Sequence, residues 1–187
     1  PVILAAWPER IEACTEKPLF THQPHGIFQQ STSLGDGLAD WRAVAEIVTR
    51  HPEVKALAPY VSAQGLLTSG GRVRGAFLRG IVPELEDTVS EFGRNMRSGS
   101  LAELTAGEFN IVLGDAIARA LGVRAGDKVV LVAPQGQVTP AGIIPRLRQF
   151  TVVGIFHVDH HEIDSGLALV HIEDARRLYR IAEEATG

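Results

Sequence analysis

The segment from Pro134 to Gln149 constrains the fold of this chain more than any other. It is 16 residues long, has no regular apolar period, and lies between two apolar runs typical of buried strands, Lys128–Ala133 and Phe150–His157. Compact domains rarely contain an unstructured connection longer than about 12–15 residues unless it is functional or disordered. Prolines at 134, 140 and 145 restrict φ and argue against a disordered linker. We therefore expect a stiff arm that projects from the end of a hairpin.

The side chains of this arm favour docking to another protein. A solvated loop has no reason to expose its large apolar residues, which are Val138, Ile143, Ile144 and Leu147. The sequence from Val129 through His157 contains no acidic residue, and Arg146 and Arg148 give it a local charge of +2. A preorganised arm with an apolar tip and a basic base lowers the ordering cost of binding and supplies polar anchors. The alternative is an arm that folds back onto its own domain.

Composition excludes several classes of protein. The chain has 187 residues, of which 45% are hydrophobic and 21% charged, so it is neither disordered nor fibrous. Its net charge is −4, which argues against non-specific electrostatic binding of nucleic acid. The single cysteine, Cys14, can form neither an internal disulfide nor a thiolate metal cage. No stretch approaches the roughly 20 apolar residues of a membrane span, so we expect a soluble domain whose membrane anchors can lie outside both ends.

The remaining periodicities predict an α+β chain, with two small subdomains as one arrangement. Capping residues, prolines and apolar spacing set the bounds of each element. The predicted elements are a helix from Asp40 to His51, a strand within Val54–Thr68 that Pro59 makes an edge strand or bulge, its hairpin partner Arg72–Val82, a helix from Pro83 whose apolar face includes Phe92 and Met96, a strand Asn110–Leu113, a helix Asp115–Leu121 closed by Gly122, a strand Leu167–Ile172 and a helix Glu173–Ile181.

The sequence lacks the motifs of common enzymes. It has no GxSxG, no GxxxxGK[ST], no GxGxxG after a strand and no HExxH, which removes the easily recognised hydrolases, nucleotide binders and zinc peptidases. We predict no cofactor and treat the two histidines in predicted strands, His25 and His171, as packed or hydrogen-bonded side chains.

One polar cluster offers a metal-binding alternative. Its residues are His157, Asp159, His160, His161, Glu162 and Asp164. Imidazoles and carboxylates of this kind bind Zn²⁺, but sequence neighbours in one loop seldom reach tetrahedral geometry. We therefore interpret the cluster as a solvated loop that follows a strand, and predict no metal site.

The run VAPQGQVTPAGIIPRLRQF at 132–150 resembles the hook of LolC-type membrane subunits of lipoprotein-releasing ABC transporters, and TPxGxIP is its most specific part. Other matching segments occur in the same order, from about Pro24 to Ile181. They are DWRAV at 40–44, HPEVKALAPYVSAQGLL at 51–67, RGIVPELE at 79–86, LGDAIARALGVRAGDKVVLVAP at 113–134, FTVVGIF at 150–156 and DSGLALVHIEDARRL at 164–178. The motifs RGIxP and LG…LGVxxGD are shared more loosely with MacB-like domains.

This resemblance implies an α+β, MacB-like periplasmic domain with a porter-like α/β subdomain and a mixed α/β Sabre subdomain. The porter part is expected at 24–75 plus 158–187, and the Sabre part at 76–157 with the hook loop at 134–149. Residues 1–23 remain an unassigned N-terminal segment. The resemblance also implies a location at the inner membrane, with the domain exposed to the periplasm and the transmembrane helices outside this chain.

In the family, the hook enters the mouth of the periplasmic chaperone LolA, and nearby basic residues form a supporting pad. The partner-binding residues implied here are Val138, Thr139, Pro140, Ala141, Gly142, Ile143, Ile144, Pro145, Arg146 and Arg148. Arg148 matches a pad arginine, whereas Ala141 replaces a larger methionine of the hook and Val130 replaces a further pad arginine.

The other implied partners are a LolD-type ATPase, a second membrane subunit and the lipoprotein cargo, with no nucleic acid. The chain itself is not expected to be an enzyme. The hook does not distinguish LolC-type, LolE-type and merged subunits. The alternative is a mechanotransmission domain of the MacB or FtsX type, which acts on another partner and lacks a protruding hook.

Overall fold

The computed structural model describes residues 41–52, 54–139 and 142–181, with only the main chain described at 44, 135–139 and 142–144. Short 3₁₀ turns occur at Gly93–Asn95 and Leu101–Glu103. The helices and strands, in chain order, are α1 (Trp41–Val48), β1 (Tyr60–Ser69), β2 (Arg72–Ile81), α2 (Pro83–Val89), β3 (Met96–Gly99), β4 (Asn110–Gly114), α3 (Asp115–Leu121), β5 (Lys128–Thr139), β6 (Gly142–Phe156), α4 (His161–Gly166), β7 (Leu167–His171) and α5 (Ile172–Tyr179).

All seven described strands belong to one mixed sheet, in the order β3-β6-β4-β7-β2-β1-β5. The pairs β2–β7 and β4–β6 are parallel, and the other pairs are antiparallel. Because β5 pairs with β6 as well as with β1, the pairings close a circuit of six strands, and β3 is attached to β6 outside it. The predicted α+β class is confirmed.

The core consists of two apolar clusters. The larger cluster combines inward-facing residues of the strands with the apolar faces of α3 and α5. The smaller cluster includes Phe92 and Phe156, whose rings meet edge to face with centroids 5.0 Å apart. Consecutive residues of β4 and β7 alternate between the two clusters, so both faces of the sheet are buried at these central strands.

Local sequence signals fixed several elements where we expected them. The bounds of α3 agree with the prediction, and Gly122 at φ +69° ends this helix by donating its N–H to the carbonyls of Ala118 and Arg119. The β1–β2 hairpin forms in register from Tyr60↔Ile81 to Ser69↔Arg72.

Two predicted elements were wrong in detail. The helix that starts at Pro83 ends at Val89, because Ser90 is extended (φ −128°), so it does not reach Met96, which instead begins β3. Pro59 precedes β1 rather than interrupting it, and β1 pairs on both sides, with β2 and over Leu66–Thr68 with β5. Helix α4 was not predicted, because its segment was interpreted as a solvated loop.

The sheet runs through both expected subdomains, since β1 lies in 24–75 and β2 crosses into 76–157, and the two strands are fully paired. The subdomain boundaries stay a prediction. Across the described ranges, no helix has the length and apolar character that a bilayer crossing requires.

Candidate functional site

The segment 134–149 was expected to be a stiff arm, without strands of its own, at the end of a hairpin; its described residues instead extend the two strands into one long β-hairpin. Its ladder begins at Lys128↔Thr151, continues to Ala133↔Arg146, and resumes from Gln137↔Ile144 to Thr139↔Gly142. The prediction of 16 residues without regular structure was therefore wrong. The two arms pair with each other, and this pairing needs no apolar alternation when no core lies beneath it.

Prolines mark the irregularity in this hairpin. Between the two parts of the ladder, residues 134–136 of β5 face only Pro145 of β6. Pro134 and Pro145 have no N–H to donate, so the regular hydrogen-bond ladder cannot continue through them. The extra residues on one arm form a bulge, which bends and twists the hairpin at this point.

The outer part of the hairpin, here called the distal ladder, comprises residues 137–139 and 142–144. Among the described residues, no third strand pairs with it: β5 contacts β1 only over Val130–Val132, and β6 contacts β4 only from Thr151 onward. At about 3.3 Å per residue, the seven steps from Val132 to Thr139 span at most about 23 Å.

The predicted partner-binding residues fall into three groups. The distal ladder contains the main chain of five of them, Val138, Thr139, Gly142, Ile143 and Ile144. Pro140 and Ala141 lie outside the described residues. Pro145, Arg146 and Arg148 lie at the root of the hairpin, where Pro145 and Arg148 are exposed and Arg146 is half-buried.

Both root arginines lie on the face of β6 that continues into the core. Arg148 and Arg146 lie two and four residues before buried Phe150 and therefore share its face, and they pair across the ladder with the buried residues Leu131 and Ala133. The Nη1 atom of Arg146 donates to the carbonyl of Leu178 at 3.4 Å, which ties the root of the hairpin to the end of α5. The two arginines therefore lie next to residues of the larger apolar cluster on the same face of the hairpin.

Arg148 stacks on an aromatic side chain that sequence reasoning missed. Its guanidinium carbon lies 3.7 Å from the centroid of the Phe109 ring, within the range of a cation–π interaction. The Phe109 ring in turn meets Phe150 edge to face, with centroids 5.6 Å apart. The sequence carried no signal for this contact, because 39 positions separate Phe109 from Arg148.

The opposite face of the hairpin root is apolar. The register places Leu66, Val132 and Leu147 side by side across β1, β5 and β6. Leu66 is 47% exposed and Leu147 is 61% exposed, and Val73 on the neighbouring strand β2 is 56% exposed. Strand alternation gave the orientation of each residue, but only strand pairing brings them into one row, so sequence reasoning did not identify Leu66 or Val73 as candidates.

In the histidine cluster, each ring nitrogen of His157 lies close to a carboxylate. His157 Nε2 lies 2.7 Å from Asp159 Oδ1, and His157 Nδ1 lies 2.9 Å from Asp164 Oδ2 and 3.8 Å from Asp115 Oδ2. Asp115 also pairs with Arg97 at 2.9 Å and with Arg119 at 3.1 Å. This network joins the end of β6 to the start of α3 and to α4.

Nothing in this geometry supports the metal-binding alternative. Within residues 41–52, 54–139 and 142–181, no three side chains from His, Cys, Asp and Glu are grouped as metal ligands. His171, which was expected to be packed or hydrogen-bonded, accepts the main-chain N–H of Glu173 at 3.2 Å and thereby caps α5. His25 lies outside the described residues.

Curated relatives carry the names that the hook resemblance predicted. The chain is 47% identical over 148 residues to the lipoprotein-releasing system transmembrane protein LolC of Neisseria meningitidis, covering 79% of this chain and 36% of that protein. It is 42% identical over 147 residues to LolC of Xylella fastidiosa, covering 79% and 35%. LolE of Haemophilus influenzae is 25% identical over 136 residues, covering 73% and 32%. The chain thus spans about a third of the length of these relatives.

The solved structures that match this chain are more distant in sequence. The extracellular domain of the noncanonical ABC-type transporter YknZ from Gram-positive bacteria matches with a TM-score of 0.48 and 11% identity, covering 70% of this chain and 61% of that one. The periplasmic region of MacB from Actinobacillus actinomycetemcomitans matches with a TM-score of 0.46 and 16% identity, covering 76% and 64%.

The family model of the MacB-like periplasmic core domain matches residues 12–185, which is nearly the whole chain and includes part of the segment that sequence reasoning left unassigned. The predicted resemblance is confirmed, and this chain belongs to the family of MacB-like periplasmic core domains.

Proposed function

We propose that this chain is the periplasmic domain of the membrane subunit of a lipoprotein-releasing ABC transporter, and that its β5–β6 hairpin docks the periplasmic chaperone LolA. The names of its relatives support the transporter assignment. The hairpin is the observation that carries the docking assignment, because its distal ladder pairs with no other described strand.

The hairpin has the properties of a preorganised binding element. Main-chain pairing and the prolines fix the two arms before any partner arrives, so little conformational entropy is lost on binding. The distal ladder contains the apolar residues Val138, Ile143 and Ile144, and no acidic residue occurs between Val129 and His157. An apolar finger with a basic root suits an apolar cavity that has an acidic rim.

Docking of this kind explains how a lipoprotein can cross the periplasm. Each lipid methylene that enters water costs about 0.8 kcal/mol, so direct transfer from the membrane to a docked carrier avoids a large penalty. The driving energy would come from a separate LolD-type ATPase, since this sequence has no phosphate-binding loop. We assign no catalytic role to the chain and place it on the periplasmic side of the inner membrane.

Co-purification with LolA tests this proposal. We expect the 187-residue chain to capture LolA, and the Ile143→Glu/Ile144→Glu variant, like Pro140→Glu, to lose capture without unfolding. Ile47→Glu is the matched control, because Ile47 is an apolar residue of α1 that is 68% exposed and lies far from the hairpin in sequence. Retention of LolA by both hairpin variants would refute docking through the hairpin.

Failure of the parent chain to capture LolA would favour the alternative of a MacB-type mechanotransmission domain.

A second part of the experiment tests the root of the hairpin. Arg148→Glu should weaken capture most at low ionic strength, because the contact of an exposed charge is screened by salt. Unchanged capture by this variant at low salt would remove Arg148 from the interface.

A further inference from the structure

Arg148 is held in place by an aromatic ring, and no carboxylate of the described residues pairs with it. Among the described residues it forms no ion pair, and its side chain is exposed. An exposed arginine ordinarily samples many rotamers, and that freedom is lost when the side chain binds a partner. Here the guanidinium carbon lies 3.7 Å from the centroid of Phe109, so the planar group is fixed by stacking and its N–H donors remain available.

The Phe109 ring is itself held by a rigid base. Phe109 has a positive φ of +56°, a conformation that side chains other than glycine rarely adopt. Two hydrogen bonds to a side-chain carboxylate maintain this conformation: the main-chain N–H groups of Gly107 and Phe109 donate to Asp174 at 2.8 and 3.1 Å. Asp174 is fully buried in the first turn of α5, and the edge of the Phe109 ring packs against core residue Phe150.

From this chain of contacts we infer that Phe109 is a positioning residue for partner binding: it orders the Arg148 guanidinium at the hairpin root before the chaperone arrives. The inference rests on the proposed docking function and adds a residue outside the hairpin to it. The inference also gives the strained turn at 107–109 a role. The turn brings the aromatic face of Phe109 to Arg148 on strand β6, which is distant in sequence. The partner surface that meets Arg148 must carry carboxylates or carbonyl oxygens, since guanidinium is a donor only.

A double-mutant cycle on LolA binding tests the inference. Phe109→Leu removes the aromatic face and keeps an apolar side chain, and we expect it to weaken binding roughly two- to fivefold, the usual range for an exposed cation–π contact. Phe109→Tyr keeps the ring and should bind like the parent. In an Arg148→Gln background the Phe109→Leu change should have no further effect, because the group that Phe109 positions is gone.

Arg94→Gln provides the matched control. Arg94 is also exposed, lies in the 3₁₀ turn Gly93–Asn95 and forms no ion pair or aromatic contact among the described residues. The effects of Phe109→Leu and Arg94→Gln should therefore add. If Phe109→Leu weakens binding equally with and without Arg148, Phe109 acts only through the stability of the fold and the inference is overturned.

A spectroscopic measurement keeps the inference testable if Phe109→Leu fails to fold or if LolA does not bind. In the parent 187-residue chain the Arg148 side-chain protons should show upfield NMR shifts from the ring current of Phe109, and Phe109→Tyr should retain them. Random-coil shifts for Arg148 in the parent would overturn the positioning role. Upfield shifts together with absent LolA binding would instead refute the docking function.

Discussion

The Asp174→Asn variant tests whether one buried carboxylate fixes the turn that precedes β4. Asp174 is fully buried and accepts the N–H groups of Gly107 and Phe109 at 2.8 and 3.1 Å. An asparagine keeps one oxygen acceptor but turns its NH₂ group toward the second donor. One of the two main-chain N–H groups then loses its acceptor, although the volume of the side chain hardly changes.

The expected cost follows from these two bonds. A hydrogen bond to a charged group contributes about 1.5–3 kcal/mol, and a polar group that loses its partner beside the fully buried side chain costs about 1–3 kcal/mol. Because these two contributions overlap, we expect the free energy of unfolding to fall by about 2–4 kcal/mol. That is a large share of the roughly 5–15 kcal/mol that stabilises a typical domain.

Urea unfolding at neutral pH measures this difference, and an unchanged dependence on urea would show that the unfolded state is the same. Asp127→Asn is the matched control, because Asp127 also accepts one main-chain N–H, from Arg124 at 2.8 Å, but in an exposed turn. We expect the control to lose about 1 kcal/mol or less. Equal losses for the two variants would refute the claim that burial makes the Asp174 contact strong.

Three further predictions concern the sheet and its packing. Burial raises the pKa of Tyr179, whose hydroxyl donates to a main-chain carbonyl of β1 at 2.8 Å. Above about pH 10 the tyrosine of the unfolded chain ionises, whereas that of the folded state stays protonated. Stability should therefore fall as pH rises above about 10 in the parent, whereas Tyr179→Phe should lose about 1 kcal/mol at neutral pH and show a flatter alkaline decline in thermal melts. Gly65→Ala would place a Cβ atom 2.9 Å from a main-chain oxygen of β5 and should cost about 1–3 kcal/mol in urea unfolding, whereas Gly75→Ala meets no atom within 4 Å and should be neutral or slightly stabilising. Arg79→Met should cost about 3–5 kcal/mol in urea unfolding, because it leaves the fully buried Glu86 without the cation 3.6 Å away. Adding Glu86→Leu should recover most of that loss, and a double variant no more stable than the single one would contradict this.

Local signals in the sequence predicted the elements whose causes are local. Helix α3 begins and ends where Asp115 and Gly122 indicate, because a helix C-terminus in the left-handed region strongly favours glycine. The β1–β2 hairpin likewise follows from two glycines between strand formers. The helix from Pro83 was predicted too long, because the apolar spacing that continued to Met96 reflects contacts of Phe92 and Met96 with other strands.

The candidate site divides in the same way. Residues 134–149 alone identified a stiff segment suited to docking, through its prolines, its apolar residues and its lack of acidic residues. Its two strands were not predicted, because they are stabilised by pairing with each other, which leaves no apolar period in the sequence of either strand. The apolar row of Leu66, Val132 and Leu147 required the register of three strands.

By itself, therefore, the sequence determined the α+β class, because capping residues, prolines and apolar spacing act over a few neighbouring positions. Its runs of matching residues also determined the family resemblance and the segment that carries the proposed function. Only the tertiary structure decided that Phe109 lies under Arg148 and that buried Asp174 holds this turn. Those contacts join residues 39 and 65 positions apart, and the closed pairing of the sheet is what brings them together.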